Sequence, residues 1–102
     1  MAVTINDDAK HIEFSHFLMI LLLKNVKSLN FGISFDRTLR NVDFKKVETL
    51  IFGSEFNQPL EGVDFKNIKT LILGHAFNQP LANVDFKNIK TLRLGMIQKA
   101  YI

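Results

Sequence analysis

The side chains that could carry chemistry in this chain are three histidines, a pair of adjacent carboxylates and several recurring lysines. His11, His16 and His75 share no recurrent position, and there is no cysteine, so no zinc-ligand spacing appears. Asp7 and Asp8 are adjacent at an expected helix start, where carboxylates act as caps. No glycine-rich phosphate loop or nucleophile elbow is present. The sequence therefore predicts no enzyme activity, no cofactor and no metal site.

Lysine recurs at one position and could form a basic stripe for phosphate groups. The members of this stripe are Lys24, Lys45, Lys66 and Lys87. Aspartates two residues earlier, at positions 43, 64 and 85, are expected on the same face and should neutralise most of the stripe. A second row of lysines, at 27, 69 and 90, is interrupted by Glu48. Because the net charge is only +3 and no aromatic side chain is placed for base stacking, we expect no nucleic-acid partner.

The lysines recur because the chain is an array of repeats. Residues 63–74 read VDFKNIKTLILG and residues 84–95 read VDFKNIKTLRLG, so eleven of twelve positions are identical when Val63 is aligned with Val84. The same offset extends back to residues 42–53 and, more loosely, to residues 21–32. A fixed period of this length predicts a solenoid, in which each unit stacks on its neighbours.

Each repeat should contain one short strand. Alternation places Leu71 and Leu73 on one face, with Thr70 and Ile72 on the other, and Gly74 ends the strand. This glycine is expected either to take a positive φ or to let neighbouring repeats approach closely. The remainder leaves no helical stretch of ten residues, so the fold class is a repeat solenoid with one parallel β-strand per 21-residue coil and loop or extended return segments.

The repeated apolar positions predict the core. In one repeat the inward residues are Val63, Phe65, Ile68, Leu71, Leu73, Phe77 and Leu81. A second repeated block, FNQPL at 56–60 and 77–81 with a degraded copy at 35–39, predicts that Phe35, Phe56 and Phe77 stack in one column. The polar residues that follow them, Asp36, Asn57 and Asn78, are interpreted as partners of backbone groups at a bend.

The organisation along the chain is a cap followed by repeats. We assign residues 1–20 to an N-terminal cap segment, with a helix compatible with residues 8–23. The repeats are then 21–41, 42–62, 63–83 and a truncated 84–102. Residues 96–102 either fold over the last repeat or leave an uncapped end through which the chain could self-associate. The longest apolar run, at 17–23, is far too short for a bilayer, so no membrane span is expected.

The pattern of one repeat resembles a known family. Leucine, glycine, phenylalanine, asparagine and proline recur in the order and spacing of the FNIP repeat, with glutamine where that name has isoleucine; in this chain these are Leu71, Leu73, Gly74, Phe77, Asn78, Gln79, Pro80 and Leu81. The resemblance is specific over residues 49–95 and fair over 24–39. FNIP repeats are similar to leucine-rich repeats and occur mainly in amoebae and the large DNA viruses that infect them. The resemblance implies a curved, leucine-rich-repeat-like stack that binds protein.

The same resemblance and the absence of cysteine bear on location and wider role. A reducing, intracellular compartment is expected, namely the cytoplasm, or the host cytoplasm if the chain is viral. Family members often carry an F-box ahead of the repeats and act as substrate adaptors of ubiquitin ligases. We expect the residues before the first repeat to be too few for that module. One alternative is therefore the substrate-recognition part of such an adaptor without its F-box, and another is a truncated relic with no dedicated partner.

Positions that vary between repeats are not dictated by stacking and are the candidates for partner binding. On the outward strand face they are Asn30, Ile51, Ile72 and Arg93, and just past the glycines they include Ser54 and His75. Neighbouring isoleucines on an exposed face indicate a contact surface. The competing interpretation is that they suit a strand by β propensity, or pack under another chain. The predicted function is a non-catalytic scaffold that binds an unidentified protein partner.

Overall fold

A single parallel sheet organises the chain in the computed structural model, which describes residues 2–4, 25–39, 42–44 and 46–95. The sheet has five strands in sequential order. Their bounds are β1 Ala2–Thr4, β2 Ser28–Asn30, β3 Thr49–Ile51, β4 Thr70–Ile72 and β5 Thr91–Arg93. No helix occurs within the described ranges.

Equivalent positions of successive repeats pair with one another. Leu29 pairs with Leu50, Leu50 with Leu71, and Leu71 with Leu92, in parallel and at the same constant offset that relates the repeats in the sequence. The prediction of one short parallel strand in each of the four repeats is confirmed. The arrangement is therefore repeat-like, with every strand displaced from the next by one period.

The first strand was not predicted. Ala2–Thr4 pairs in parallel with β2, with Ala2 opposite Ser28, at an offset longer than the period of the repeats. This stretch belongs to the N-terminal cap segment assigned to residues 1–20, for which only a helix over residues 8–23 was suggested. A strand can bond to the backbone N–H and C=O groups on the open edge of β2, whereas a helix has no spare backbone partners for them. The helix suggested for residues 8–23 lies outside the described residues.

Tight turns, rather than a crossover helix, return the chain from one strand to the next. In the third repeat, the Val63 N–H donates to the Leu60 carbonyl at 3.1 Å and the Ile68 N–H to the Phe65 carbonyl at 2.9 Å. The fourth repeat makes the same two turns at its equivalent residues. The predicted loop or extended return path is confirmed over the described residues.

Backbone hydrogen bonds between repeats extend beyond the three-residue strands. The Glu48 carbonyl accepts from both Lys69 N–H and Thr70 N–H, at 2.8 and 3.0 Å. Past the strand, Ala76 N–H donates to the Ser54 carbonyl at 2.9 Å. The bonds before the strand recur with the repeats on both sides, and the bond past the strand recurs between Glu55 N–H and the Ile33 carbonyl. Each repeat is therefore tied to its neighbour on both sides of the strand.

Columns of equivalent apolar residues form the core. The strand leucines at 29, 50 and 71 are fully buried. The ring centroids of Phe35 and Phe56 lie 6.1 Å apart and those of Phe56 and Phe77 lie 6.2 Å apart, both pairs stacked. The predicted column is confirmed. Six of the seven predicted inward residues of one repeat are buried, and the seventh, Phe77, is half-buried against the same core.

At Gly53, Gly74 and Gly95, glycine at the end of the strand is required by close approach. A Cβ on Gly74 would lie 2.3 Å from the Gly53 carbonyl oxygen, and one on Gly53 would lie 2.2 Å from that of Gly32. Positive φ occurs instead at Gly32, at 82°, and at Gly62, at 80°. Of the two predicted reasons for glycine, contact between neighbouring backbones therefore accounts for Gly53 and Gly74.

This contact predicts a large difference between two glycine substitutions. Gly74→Ala should lower the free energy of unfolding by about 2–3 kcal/mol, because the new methyl meets backbone that cannot move aside without breaking cross-repeat bonds. Gly62→Asn is the control, since nothing lies within 4 Å of a Cβ there and asparagine tolerates positive φ. Urea unfolding followed by circular dichroism measures both. Similar stabilities for the two variants would contradict the close-approach account.

Candidate functional site

The predicted variable residues of the strands lie side by side. Cross-strand pairing places Asn30 beside Ile51, Ile51 beside Ile72, and Ile72 beside Arg93. We call these four residues the strand-face row. Adjacent strands in a sheet are about 4.8 Å apart, so the row is about 14 Å long. In β2 to β4 the central leucine is buried and the residues flanking it are half-buried, which puts the row on the face away from the core.

The chemistry changes along this row. Asn30 is partly structural, because its Oδ1 accepts from the Gly32 N–H at 2.9 Å. Ile51 and Ile72 form an apolar centre, half-buried by their neighbours. Arg93 is exposed at the far end. The row therefore runs from a polar end through an apolar centre to a cation.

A second row follows the glycines at the ends of the strands. Ser54 and His75 are both exposed there, as expected. The structure adds Ile33, whose side chain is 67% exposed and whose carbonyl accepts from the Glu55 N–H at 3.0 Å. We call Ile33, Ser54 and His75 the post-glycine row. The sequence analysis missed Ile33, although it lies one period before Ser54 and could have been found from that offset.

The polar residues after the stacked phenylalanines form a ladder between repeats. Asn57 N–H donates to Asp36 Oδ1 at 2.9 Å, and Asn78 N–H donates to Asn57 Oδ1 at 2.8 Å. Their interpretation as partners of backbone groups at a bend agrees with these bonds. The sequence analysis missed the contribution of the following glutamines: Gln58 Nε2 donates to Asp36 Oδ1 at 2.9 Å, and Gln79 Nε2 to Asn57 Oδ1 at 3.0 Å.

An open groove of about 610 Å³ lies directly before the strands. We call it the lysine groove, because five of the eight described residues that line it are lysines. It is lined by Lys27, Lys46, Glu48, Lys66, Asn67, Lys69, Asn88 and Lys90. Those at 27, 48, 69 and 90 are equivalent residues of successive repeats, and each immediately precedes a strand. The groove therefore collects charge from four repeats onto one surface.

The groove differs from the lysine stripe expected from the sequence. Of that stripe, only Lys66 lines it; Lys87 is exposed elsewhere, and Lys24 and Lys45 lie outside the described residues. The interrupted second row, in contrast, lines the groove in full. Lys46 was not singled out by the sequence analysis, since its column holds asparagine in the next two repeats.

The carboxylates near these lysines form two kinds of interaction, hydrogen bonds with backbone N–H groups and ion pairs with lysines. Asp64 Oδ1 accepts from the Lys66 backbone N–H at 3.0 Å, and Asp85 Oδ1 from the Lys87 backbone N–H at 2.9 Å. These oxygens therefore bond to the backbone rather than to the lysine ammonium groups. The ion pairs formed among described residues both involve Glu48, at 3.6 Å from Lys27 Nζ and 3.8 Å from Lys69 Nζ.

The remaining residues considered for chemistry do not assemble into a site in the described part of the chain. Asp7, Asp8, His11 and His16 lie outside it, and His75 is exposed in the post-glycine row. Over the described ranges there is no cluster of three or more residues able to hold a metal ion. Nor does that part of the chain contain a helix with the length and apolar character needed to cross a membrane.

Comparisons with known proteins identify no relative of this chain. Neither the protein-family models nor the curated proteins nor the solved structures contain a match to this chain. Function is therefore argued from the strand-face row, the post-glycine row and the lysine groove.

The polar ladder predicts a position-dependent loss of stability. Asn57→Ala should lower the free energy of unfolding by about 1 kcal/mol, because it removes the acceptor of two hydrogen bonds from the next repeat. Asn78→Ala is the matched control. The hydrogen bonds between its repeat and the preceding one use the Asn78 backbone N–H and the Asn57 side chain, and this substitution removes neither group. Thermal unfolding followed by circular dichroism compares them. An equal loss in both variants would contradict the ladder as the source of the effect.

Proposed function

We propose that this chain is a non-catalytic protein-interaction module, and that it binds a protein partner through the strand-face row. The observation that supports this most directly is the pairing of Ile51 with Ile72 on the face of the sheet away from the core. Adjacent apolar side chains on an outer face are typical of contact surfaces, which have an apolar centre and a polar rim.

The fold itself does not require isoleucine at these two positions. The equivalent residue is Asn30 in the repeat before and Arg93 in the repeat after, and all four pair in the same sheet register. Stacking therefore accepts an amide or a guanidinium where Ile51 and Ile72 lie. This separates the strand-face row from the leucines beside it, which are identical in all four repeats and are fully buried in the first three.

The post-glycine row enlarges the proposed surface. Ile33 follows β2 by three residues and is the most exposed large apolar side chain among the described residues. Together with the isoleucine pair it provides a second apolar contact, and Arg93 provides a cation at the far end. A length of about 14 Å suits one extended segment or one helix of a partner.

At the level of fold, we propose a leucine-rich-repeat-like solenoid of the FNIP type. Supporting this are the strand leucines, the terminal glycine, and the block of phenylalanine, asparagine and proline at fixed offsets in each of two repeats. An intracellular location is part of the same proposal. The alternatives are a repeat-family relic without a dedicated partner and the recognition part of a ubiquitin-ligase adaptor without its F-box.

A second candidate function is self-association at the β5 end of the sheet. Leu92 occupies the core position of β5 but is 38% exposed, whereas its equivalents at 29, 50 and 71 are fully buried. β5 is the last strand in the sheet order, so its outer edge pairs with none of the described strands. Residues 96–102, expected to cover or expose this end, lie outside the described residues.

The strand-face row is tested by replacing both isoleucines with asparagine, the residue that occupies the equivalent position, Asn30, in β2. Ile51→Asn together with Ile72→Asn should reduce partner capture at least about tenfold, because the apolar centre of a contact carries most of its binding energy. The immobilised chain is exposed to a lysate of its source cells, and retained proteins are quantified by mass spectrometry. Glu61→Gln, an exposed change on the return path, is the control.

The outcomes of this experiment separate the alternatives. Proteins retained by the native and Glu61→Gln chains but lost from the double variant support the strand-face row. Equal retention by all three chains contradicts it. Enrichment of no protein by the native chain favours the relic.

Self-association is tested separately with Leu92→Lys. If the β5 end binds a second copy, sedimentation velocity should show concentration-dependent dimers of the native chain in the micromolar range and monomers of the variant. Ile33→Lys makes the same chemical change at another exposed apolar residue and should leave the dimers unaffected. A native chain that stays monomeric throughout this range would contradict the second candidate.

A further inference from the structure

We propose that the lysine groove binds an extended, acidic segment of a polypeptide. This site is separate from the strand-face row, so the inference goes beyond the proposed function and does not depend on it. The groove lies before the amino ends of the strands, where residues 27, 48, 69 and 90 precede β2 to β5.

The described residues give the groove an excess of positive charge. Five of those that line it carry an ammonium group and one carries a carboxylate. Glu48 lies within 4 Å of two of these lysines, Lys27 and Lys69. Among the described residues, no carboxylate forms an ion pair with Lys46, Lys66 or Lys90. Like charges held on neighbouring repeats repel each other. An anionic ligand in the groove offsets this repulsion by attracting the ammonium groups.

The sheet register holds these charges in place. The Lys69 and Lys90 N–H groups each donate at 2.8 Å to the carbonyl of the equivalent residue in the preceding repeat. Asn88 Nδ2 donates to the Lys66 carbonyl at 2.9 Å, which joins the groove wall of one repeat to that of the next. The lysine backbones are therefore set at the spacing of strands before any ligand arrives.

The described lining of the groove favours one kind of anion. None of the described residues that line it is aromatic, so they offer no platform for stacked bases, and none is an arginine that could bind a phosphate through two hydrogen bonds. It is an open surface rather than an enclosed pocket, which disfavours a small molecule. Lysines act as point charges with little geometric demand, and carboxylates on a flexible chain satisfy them well.

The dimensions also suit an extended peptide. From Lys27 to Lys90 the groove crosses three strand spacings, or about 14 Å. An extended chain advances about 3.3 Å per residue, so four to five residues cover this distance. A segment of that length with several Asp or Glu residues can place carboxylates near the three lysines that Glu48 does not pair.

The test uses a dye-labelled hexaglutamate peptide and fluorescence anisotropy with the full chain. Lys66→Gln and Lys90→Gln should each weaken binding about two- to fourfold, the range expected for one exposed charge pair. Glu48→Gln should tighten binding by a similar factor, because it removes the carboxylate that competes for Lys27 and Lys69. Arg37→Gln removes a positive charge outside the groove and introduces the residue that the next two repeats carry, so it should leave binding unchanged.

Several results would overturn this inference. Absence of hexaglutamate binding at low salt would do so, as would equal effects of Arg37→Gln and the groove variants, or weaker binding by Glu48→Gln. Tighter binding of a single-stranded oligonucleotide of equal charge, lost in the groove variants, would assign the groove to nucleic acid instead. Circular dichroism checks that each variant is folded.

The two proposed surfaces are distinguished in the same assay. The Ile51→Asn and Ile72→Asn double variant changes no charge and should bind hexaglutamate as the native chain does. Failure of the strand-face proposal leaves this result unaffected, and failure of the groove proposal leaves partner capture by the strand-face row unaffected. Equal loss of hexaglutamate binding in the double variant would overturn the separation of the two sites.

Discussion

The equal length of successive repeats is the constraint on which the rest of this structure depends. Because each repeat is displaced from the last by one full period, the Glu48 carbonyl meets two N–H groups of the next repeat, and a glycine backbone lies against the glycine before it. One residue inserted within a strand would turn the side chains that follow it in that strand to the opposite face. The phenylalanine column and the polar ladder both follow from the same register.

That register also determines where the surface can vary. Positions inside the stack repeat because each must fit the same neighbour, as the strand leucines do. Positions on the surface of the stack do not have to fit a neighbouring repeat and can differ between repeats. At such positions the chain has an isoleucine pair, an exposed Ile33 and lysines that occur in only some of the repeats. The two proposed binding surfaces are thus consequences of one scaffold. One is apolar and lies on the strands, and the other is cationic and lies before them.

The charge of the groove shows why repetition alone does not define a site. Strict repetition would place one kind of charge in a whole column, and neighbouring like charges would repel. Glu48 breaks the column at 27, 69 and 90 and forms ion pairs with the lysines on either side. Lys46, in a column that continues as asparagine, returns a positive charge to the same surface. The net charge of the groove therefore depends on residues from three columns of equivalent positions, and no single column determines it.

Spacing alone predicts the strands of the four repeats, their parallel register, the buried leucines and the stacking of Phe35 on Phe56, because a fixed period makes each local pattern also a contact with the next repeat. The features that break the period are visible only in the folded chain. β1 pairs with β2 at an offset that differs from the period, so no internal copy marks it. The lysine groove unites residues from different columns, and its shape depends on turns whose geometry is set by packing. Contacts between equivalent residues of successive repeats can be predicted from their spacing in the sequence. Contacts between residues at different positions of the repeat form only when the chain is folded.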